Sequence, residues 1–124
     1  MAKILLVDDT EFFQKLYSNE LIKAGFEVEV ASDGEEALQK MKIAKPELVF
    51  MDIVMPKLGG VETLAKIKSD QELQFIPVIM LTGVSSSEKG EVSLWKGAAG
   101  YMVKTTLSPS DVVTKAKQIL GIVS

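Results

Sequence analysis

The chain contains no cysteine and no histidine. The first absence excludes disulfides, thiolate nucleophiles and Cys-ligated metals. The second removes the commonest general base and the commonest transition-metal ligand. All 14 basic residues are lysine, so no guanidinium fork is available to clamp a phosphate or read a guanine edge. With a net charge of −3, that argues against a direct nucleic-acid surface. No apolar run approaches the length of a membrane span, and Met1–Val7 is too short for a signal peptide. The expectation is a cytoplasmic protein with no membrane partner. The 124 residues suit one domain, 1–124, with one core. Internal repeats, low-complexity segments and linker-like composition shifts are absent.

What is present is a series of apolar runs that end on polar residues. Ile4–Val7 is continuous and branched, as a strand buried on both faces requires, and it ends on Asp8 and Asp9. Thr10–Ala24 carries Phe13, Leu16, Tyr17, Leu21 and Ala24 at the spacing of one helix face. Asp9 or Thr10 is placed to cap it, and Gly25 to stop it. Phe26, Val28 and Val30 alternate with Glu27 and Glu29, a strand with one wet face at a sheet edge. After the Asp33–Gly34 turn, Glu35–Ile43 reads as a helix with Ala37, Leu38 and Met41 inward. Pro46 precedes a third strand, Leu48–Met51, which ends on Asp52. Gly60–Ser69 is a helix carrying Val61, Leu64, Ala65 and Ile67. Val78–Leu81 is a strand ending on Thr82 and Gly83. Ser85–Lys96 is a weaker helix, lowered in propensity by three serines and Gly90. Tyr101–Val103 is a short strand ending on Lys104. Ser108, Pro109 and Asp111 mark the start of a last helix, which runs to about Leu120.

Five strands alternating with five helices argue a parallel sheet covered on both faces. The order 2-1-3-4-5 suits them, with a switch point between the first and third strands. Asp8, Asp9 and Asp52 then crowd together, with Thr82 beside them and Lys104 one strand further. Three close carboxylates repel, and a divalent cation would neutralise them. Oxygen-only donors point to Mg²⁺ or Mn²⁺. A hydroxyl and an ammonium opposite a metal are what a phosphoryl group needs. Taken singly, each residue also has a plain reading. Asp52 is a turn cap, Asp9 a helix cap, Thr82 a strand end and Lys104 a solvated charge. Only their joint placement carries the chemistry.

Five segments make the chain resemble the receiver domain of two-component response regulators. They are Ile4–Asp9 (ILLVDD), Ala31–Leu38 (ASDGEEAL), Pro46–Pro56 (PELVFMDIVMP), Ile76–Thr82 (IPVIMLT) and Gly97–Lys104 (GAAGYMVK). The resemblance covers essentially the whole chain. It implies a flavodoxin-like (βα)5 three-layer sandwich, and the strand order above rests in part on it. It implies that Asp52 accepts a phosphoryl group from a sensor histidine kinase or phosphotransfer protein. Asp8, Asp9, Asp52 and the carbonyl of Val54 would then hold Mg²⁺. Lys104 and the backbone N–H groups of Val54 and Gly83 would meet the phosphoryl oxygens. Thr82 and Tyr101 would switch the face made by the fourth helix, fifth strand and fifth helix, through which a downstream protein docks. Such a domain is a phosphoacceptor rather than an enzyme, promotes only its own phosphorylation and dephosphorylation, and is a monomer or weak dimer.

Three positions depart from the family pattern. Thr105 replaces a proline usually preceded by a cis peptide, which bears on the reach of Lys104. Gly59 replaces an acidic residue, and Gly83 an alanine. Val54 and Val84 are apolar where they would flank an acyl phosphate, which predicts slow self-dephosphorylation. Other readings fare worse. A haloacid-dehalogenase-type phosphatase resembles Asp-x-Asp, but Asp52 is followed by Ile53 and Val54. A flavodoxin-like FMN carrier needs a phosphate loop where Asp8 and Asp9 would repel one. A pseudo-receiver that only binds proteins remains as the alternative, and Thr105 favours it.

Overall fold

The three apolar runs at Ile4, Leu48 and Val78 become the buried centre of one parallel sheet. The computed structural model describes residues 2–83, 97–104 and 106–122. In chain order the elements are β1 (Lys3–Val7), α1 (Glu11–Lys23), β2 (Glu27–Ala31), α2 (Gly34–Ile43), β3 (Leu48–Asp52), α3 (Gly60–Ser69), β4 (Val78–Thr82), β5 (Gly100–Val103) and α4 (Pro109–Leu120). The sheet order is β2-β1-β3-β4-β5 and every pair is parallel. Every residue of β3 and β4 is buried, whereas β2 and β5, at the edges, are only partly covered. The helix expected at Ser85–Lys96 lies outside the described residues, as do Val84 and Thr105.

Alternation along the strands divides the interior into two half-cores, because successive side chains point to opposite faces. On one face Leu5, Val7, Val49, Met51, Val78 and Met80 meet Ala37 and Met41 of α2 and Leu64 and Ile67 of α3. On the other, Ile4, Leu6, Leu48, Phe50, Ile79 and Leu81 meet Tyr17 and Leu21 of α1 and Val112 and Ala116 of α4. This is the three-layer sandwich. Phe50 has no exposed surface, so truncating it to alanine should cost about 3–5 kcal/mol.

Local chemistry sets the helix ends. The Asp33 carboxylate accepts from the Glu36 N–H at 2.9 Å, and the Glu36 carboxylate accepts from the Ser32 N–H at 2.7 Å. That bond holds the Glu36 carboxyl below its ordinary range, against the opposing effect of burial. The reciprocal arrangement starts α2 at Gly34, one residue earlier than its sequence pattern suggests. The Ser108 N–H donates to Asp111 at 2.8 Å, fixing the start of α4. Helix α1 stops before Gly25, whose φ of +96° is in the left-handed region that glycine tolerates.

Three details differ from the sequence pattern. Neither Asp9 nor Thr10 caps α1 through its side chain. Thr10 holds the N-cap position without such a bond, and its own N–H is taken by Asp8 at 2.9 Å. Ala24 and Ala65, placed on buried helix faces by spacing, are exposed. Alanine adds so little apolar area that periodicity places it poorly. Strands β3 and β4 each continue one residue further than their apolar runs, to Asp52 and Thr82.

Candidate functional site

That extra residue matters, because it makes Asp52 and Thr82 part of the rigid ladder instead of a loop. Asp52 pairs with Leu81 in register, and Thr82 with Val103. Beyond the ladder the backbone stays tied. The Asp8 N–H donates to the Ala31 carbonyl at 3.0 Å, the Ile53 N–H to Leu81 at 3.2 Å and the Lys104 N–H to Thr82 at 2.7 Å. The residues at the ends of β1, β3, β4 and β5 are therefore fixed by sheet hydrogen bonds before any side chain interacts.

From these positions Asp8, Asp9 and Asp52 converge, with carboxylate oxygens of all three within 4.8 Å of one another. Asp8 is fully buried, Asp52 is 8% exposed and Asp9 is exposed. The Lys104 ammonium reaches into the cluster. It lies 2.6 Å from Asp8 Oδ2 and 3.2 Å from Asp52 Oδ2. The other carboxylate oxygens of Asp8 and Asp52 are also engaged: Asp8 Oδ1 accepts from the Thr10 N–H, and Asp52 Oδ1 accepts from the Ile53 N–H at 2.9 Å. The Gln14 amide donates to the Asp8 carbonyl and, at 3.2 Å, to the Ser32 hydroxyl. Gly60 is required by the close approach of α3 to this loop. A Cβ there would overlap the carbonyl oxygen of Asp52 and the backbone of Ile53.

The electrostatics follow. Burial pushes the Asp52 carboxyl above the usual carboxylate range; Lys104 opposes that shift and Asp8 adds to it. For Lys104, burial acts to lower the ammonium, but the bond to Asp8 and the charge of Asp52 outweigh it and raise it. One ammonium among three carboxylates leaves an excess of two negative charges. That excess, made of oxygen donors alone, fits a hard divalent cation such as Mg²⁺.

The expected residues are thus partly brought together. Asp8, Asp9, Asp52 and Lys104 form the cluster, and Thr82 is 2% exposed at the end of β4. The lysine is closer than the strand order alone suggested, because its extended side chain crosses back over β4 to β1 and β3. The Val54 side chain is 80% exposed, and Gly83 is exposed. Tyr101 is 37% exposed on β5, opposite Met80. One neighbour went unread: Phe13, whose ring centroid is 4.2 Å from Lys104 Nζ. Its place on the apolar face of α1 gave it an ordinary core reading. The only sequence signal was its four-residue spacing from Asp9.

Comparison with known proteins agrees with this geometry. Residues 4–117 match the response regulator receiver domain. The chain is 41% identical over 118 residues to the alkaline phosphatase synthesis transcriptional regulatory protein PhoP of Bacillus subtilis, covering 95% of this chain and 48% of that protein. It is 40% identical over 112 residues to the chemotaxis protein CheY of Halobacterium salinarum, covering 89% of this chain and 91% of that one. It thus spans about half the length of the transcriptional regulators it matches. The structure of the chemotaxis protein CheY4 of Vibrio cholerae superposes with a TM-score of 0.86 at 34% identity, covering 96% of this chain and 98% of that one. Receiver domains are signalling switches that bind Mg²⁺ at an acidic cluster and work with histidine kinases and downstream effectors. With its sheet order, its carboxylate triad and its match over residues 4–117, the chain belongs to the response regulator receiver family of two-component signalling.

Proposed function

We propose that Asp52 is the phosphoacceptor of this receiver. The observation that carries the proposal is the placement of its buried carboxylate, 3.2 Å from the Lys104 ammonium and within 4.8 Å of two further carboxylates. An Asp52 oxygen attacks the phosphorus of a phosphohistidine on a sensor kinase or phosphotransfer protein. The O–P bond forms, the P–N bond breaks and the imidazole nitrogen leaves with the electron pair. A carboxylate is already ionised at neutral pH, so no general base is needed, in keeping with the absence of histidine.

Positioning and charge stabilisation carry most of such a transfer. Asp8, Asp9, Asp52 and the Val54 carbonyl would hold Mg²⁺, or Mn²⁺ in its place. The ion, when bound, offsets charge on the transferring oxygens. Lys104 shifts from Asp8 to a phosphoryl oxygen, and the N–H groups of Val54 and Gly83 donate to the same group. The added charge, roughly −1.5 to −2, draws the Thr82 hydroxyl toward it, and the partly exposed Tyr101 ring turns inward. The surface around β5 and the C-terminal helix then changes for a downstream protein. The setting is cytoplasmic and the protein a monomer or weak dimer, with no catalysis beyond its own phosphorylation and dephosphorylation.

The test is intact mass after incubation with acetyl phosphate, with and without Mg²⁺, for wild type and Asp52→Ala. The expected result is a Mg²⁺-dependent gain of about 80 Da, one phosphoryl group, absent from the variant. No gain and no Mg²⁺ binding would overturn the proposal and point to a phosphorylation-independent interaction module.

A further inference from the structure

Lys104 has two carboxylate partners, and its third neighbour is aromatic. Its Nζ lies 4.2 Å from the centroid of the Phe13 ring. The ring is itself held in place. It stacks on Tyr17 at 5.7 Å with an interplanar angle of 18°, and Phe12 meets it edge-on at 5.3 Å and 77°. Tyr17 is 1% exposed in the half-core beneath α1. A chain of contacts therefore runs from a rigid interior residue through Phe13 to the ammonium.

We propose that Phe13 is a positioning residue for Lys104, holding its ammonium at the phosphoryl site by cation–π attraction while the carboxylate partners change. The proposal rests on the role given above to Lys104. The reasoning concerns what differs before and after transfer. Before transfer the ammonium is shared between Asp8 and Asp52. Transfer makes one Asp52 oxygen the bridging oxygen of an acyl phosphate, and Lys104 turns from Asp8 toward the phosphoryl group. A carboxylate bond is directional and competes with that move. The face of an aromatic ring attracts the charge broadly and is altered by neither step. Among the described residues, Phe13 is thus the partner that holds the lysine near the site without fixing it on Asp8. A ring that only filled space in the half-core would do the same work whatever its quadrupole.

The experiment separates these roles by fluorinating Phe13, which weakens the quadrupole with little change in shape. The rate of phosphorylation by acetyl phosphate with saturating Mg²⁺ is measured for mono-, di- and trifluorophenylalanine at position 13, in wild type and in Lys104→Met. The expected result is a stepwise decline to about one-fifth of the wild-type rate, the equivalent of roughly 1 kcal/mol of cation–π attraction, and a flat series in Lys104→Met. Natural variants give a second measurement: Phe13→Tyr keeps the rate, whereas Phe13→Leu loses about five-fold. Equal rates across the fluorinated series, or the same decline in Lys104→Met, would overturn the inference and leave the role of Lys104 standing. A Lys104→Met protein as fast as wild type would remove that role and this inference together.

Discussion

Replacing Asp52 by asparagine should stabilise the metal-free fold. The side chain is 12% exposed, and the costs of its charge can be weighed. At an effective dielectric of about 20, repulsion by Asp8 at the outer cluster distance is about 3.5 kcal/mol, and attraction to Lys104 about 5 kcal/mol. Asp9 is exposed, so solvent screening leaves its repulsion at no more than about 1 kcal/mol. These opposing Coulomb contributions nearly cancel. Desolvation then decides, at several kcal/mol for a buried ion, and it is also the largest influence raising the Asp52 carboxyl. The Ile53 N–H bond offsets about 1.5–3 kcal/mol of it. A net gain of about 1–2 kcal/mol for Asp52→Asn follows, or about 4–8 °C in Tm for a domain of this size. The assay is thermal unfolding in EDTA at pH 7.5. The sign with pH is fixed. The folded carboxyl lies above its unfolded value, so the penalty is complete above the folded pKa. It fades as pH falls through that value toward the unfolded one, near 4. The gap between variant and wild type should therefore close on acidification. Saturating Mg²⁺ should reverse the order, since a ligand at a hundred times its Kd stabilises wild type by about 2.7 kcal/mol. An asparagine variant no more stable than wild type in EDTA, or a gap that widens in acid, would refute the reasoning.

Four further outcomes are expected. Gly60→Ala should lose about 1–3 kcal/mol in urea unfolding, because its Cβ would overlap the Asp52 and Ile53 backbone. Gly83→Ala, with no described residue within 4 Å of its Cβ, should stay within about 0.5 kcal/mol of wild type. Asp111→Ala should cost about 1 kcal/mol in the same assay by releasing the Ser108 N–H. Val54→Asn should speed the decay of phosphorylated Asp52, read by intact mass after donor removal. An unchanged decay would show that the exposed valine does not shield the acyl phosphate.

Much of this was legible because the central strands are buried on both faces. Ile4–Val7, Leu48–Met51 and Val78–Leu81 admit no polar residue, so the first one after each run had to mark the sheet edge. Ser108 was legible for a different reason, as caps act through near neighbours in sequence; Asp33, read as part of a turn, is instead the cap of α2. The grip of Lys104 on Asp8 was not legible. It joins residues 96 apart and depends on how far an extended side chain reaches across the sheet. Phe13 does pack on the half-core as its spacing indicated, but its contact with Lys104 was missed on similar grounds, since periodicity assigns a face and cannot say that a charge lies over it. Ala24 and Ala65 failed for want of signal, their side chains being too small to declare a preference.

The span between Asp8 and Lys104 has a consequence in time. Chains are synthesised at about 5–20 residues per second, so roughly 5–20 s separate the appearance of the first carboxylate from that of the ammonium that steadies it. Throughout that interval the nascent chain carries its acidic residues without their basic counterpart. Under the proposed role of Lys104, a kinase meeting such a chain would find no functional acceptor. Competence to receive a signal would therefore be acquired only after most of the sheet has been made, and a nascent chain still lacking Lys104 could not draw phosphate away from chains that carry it.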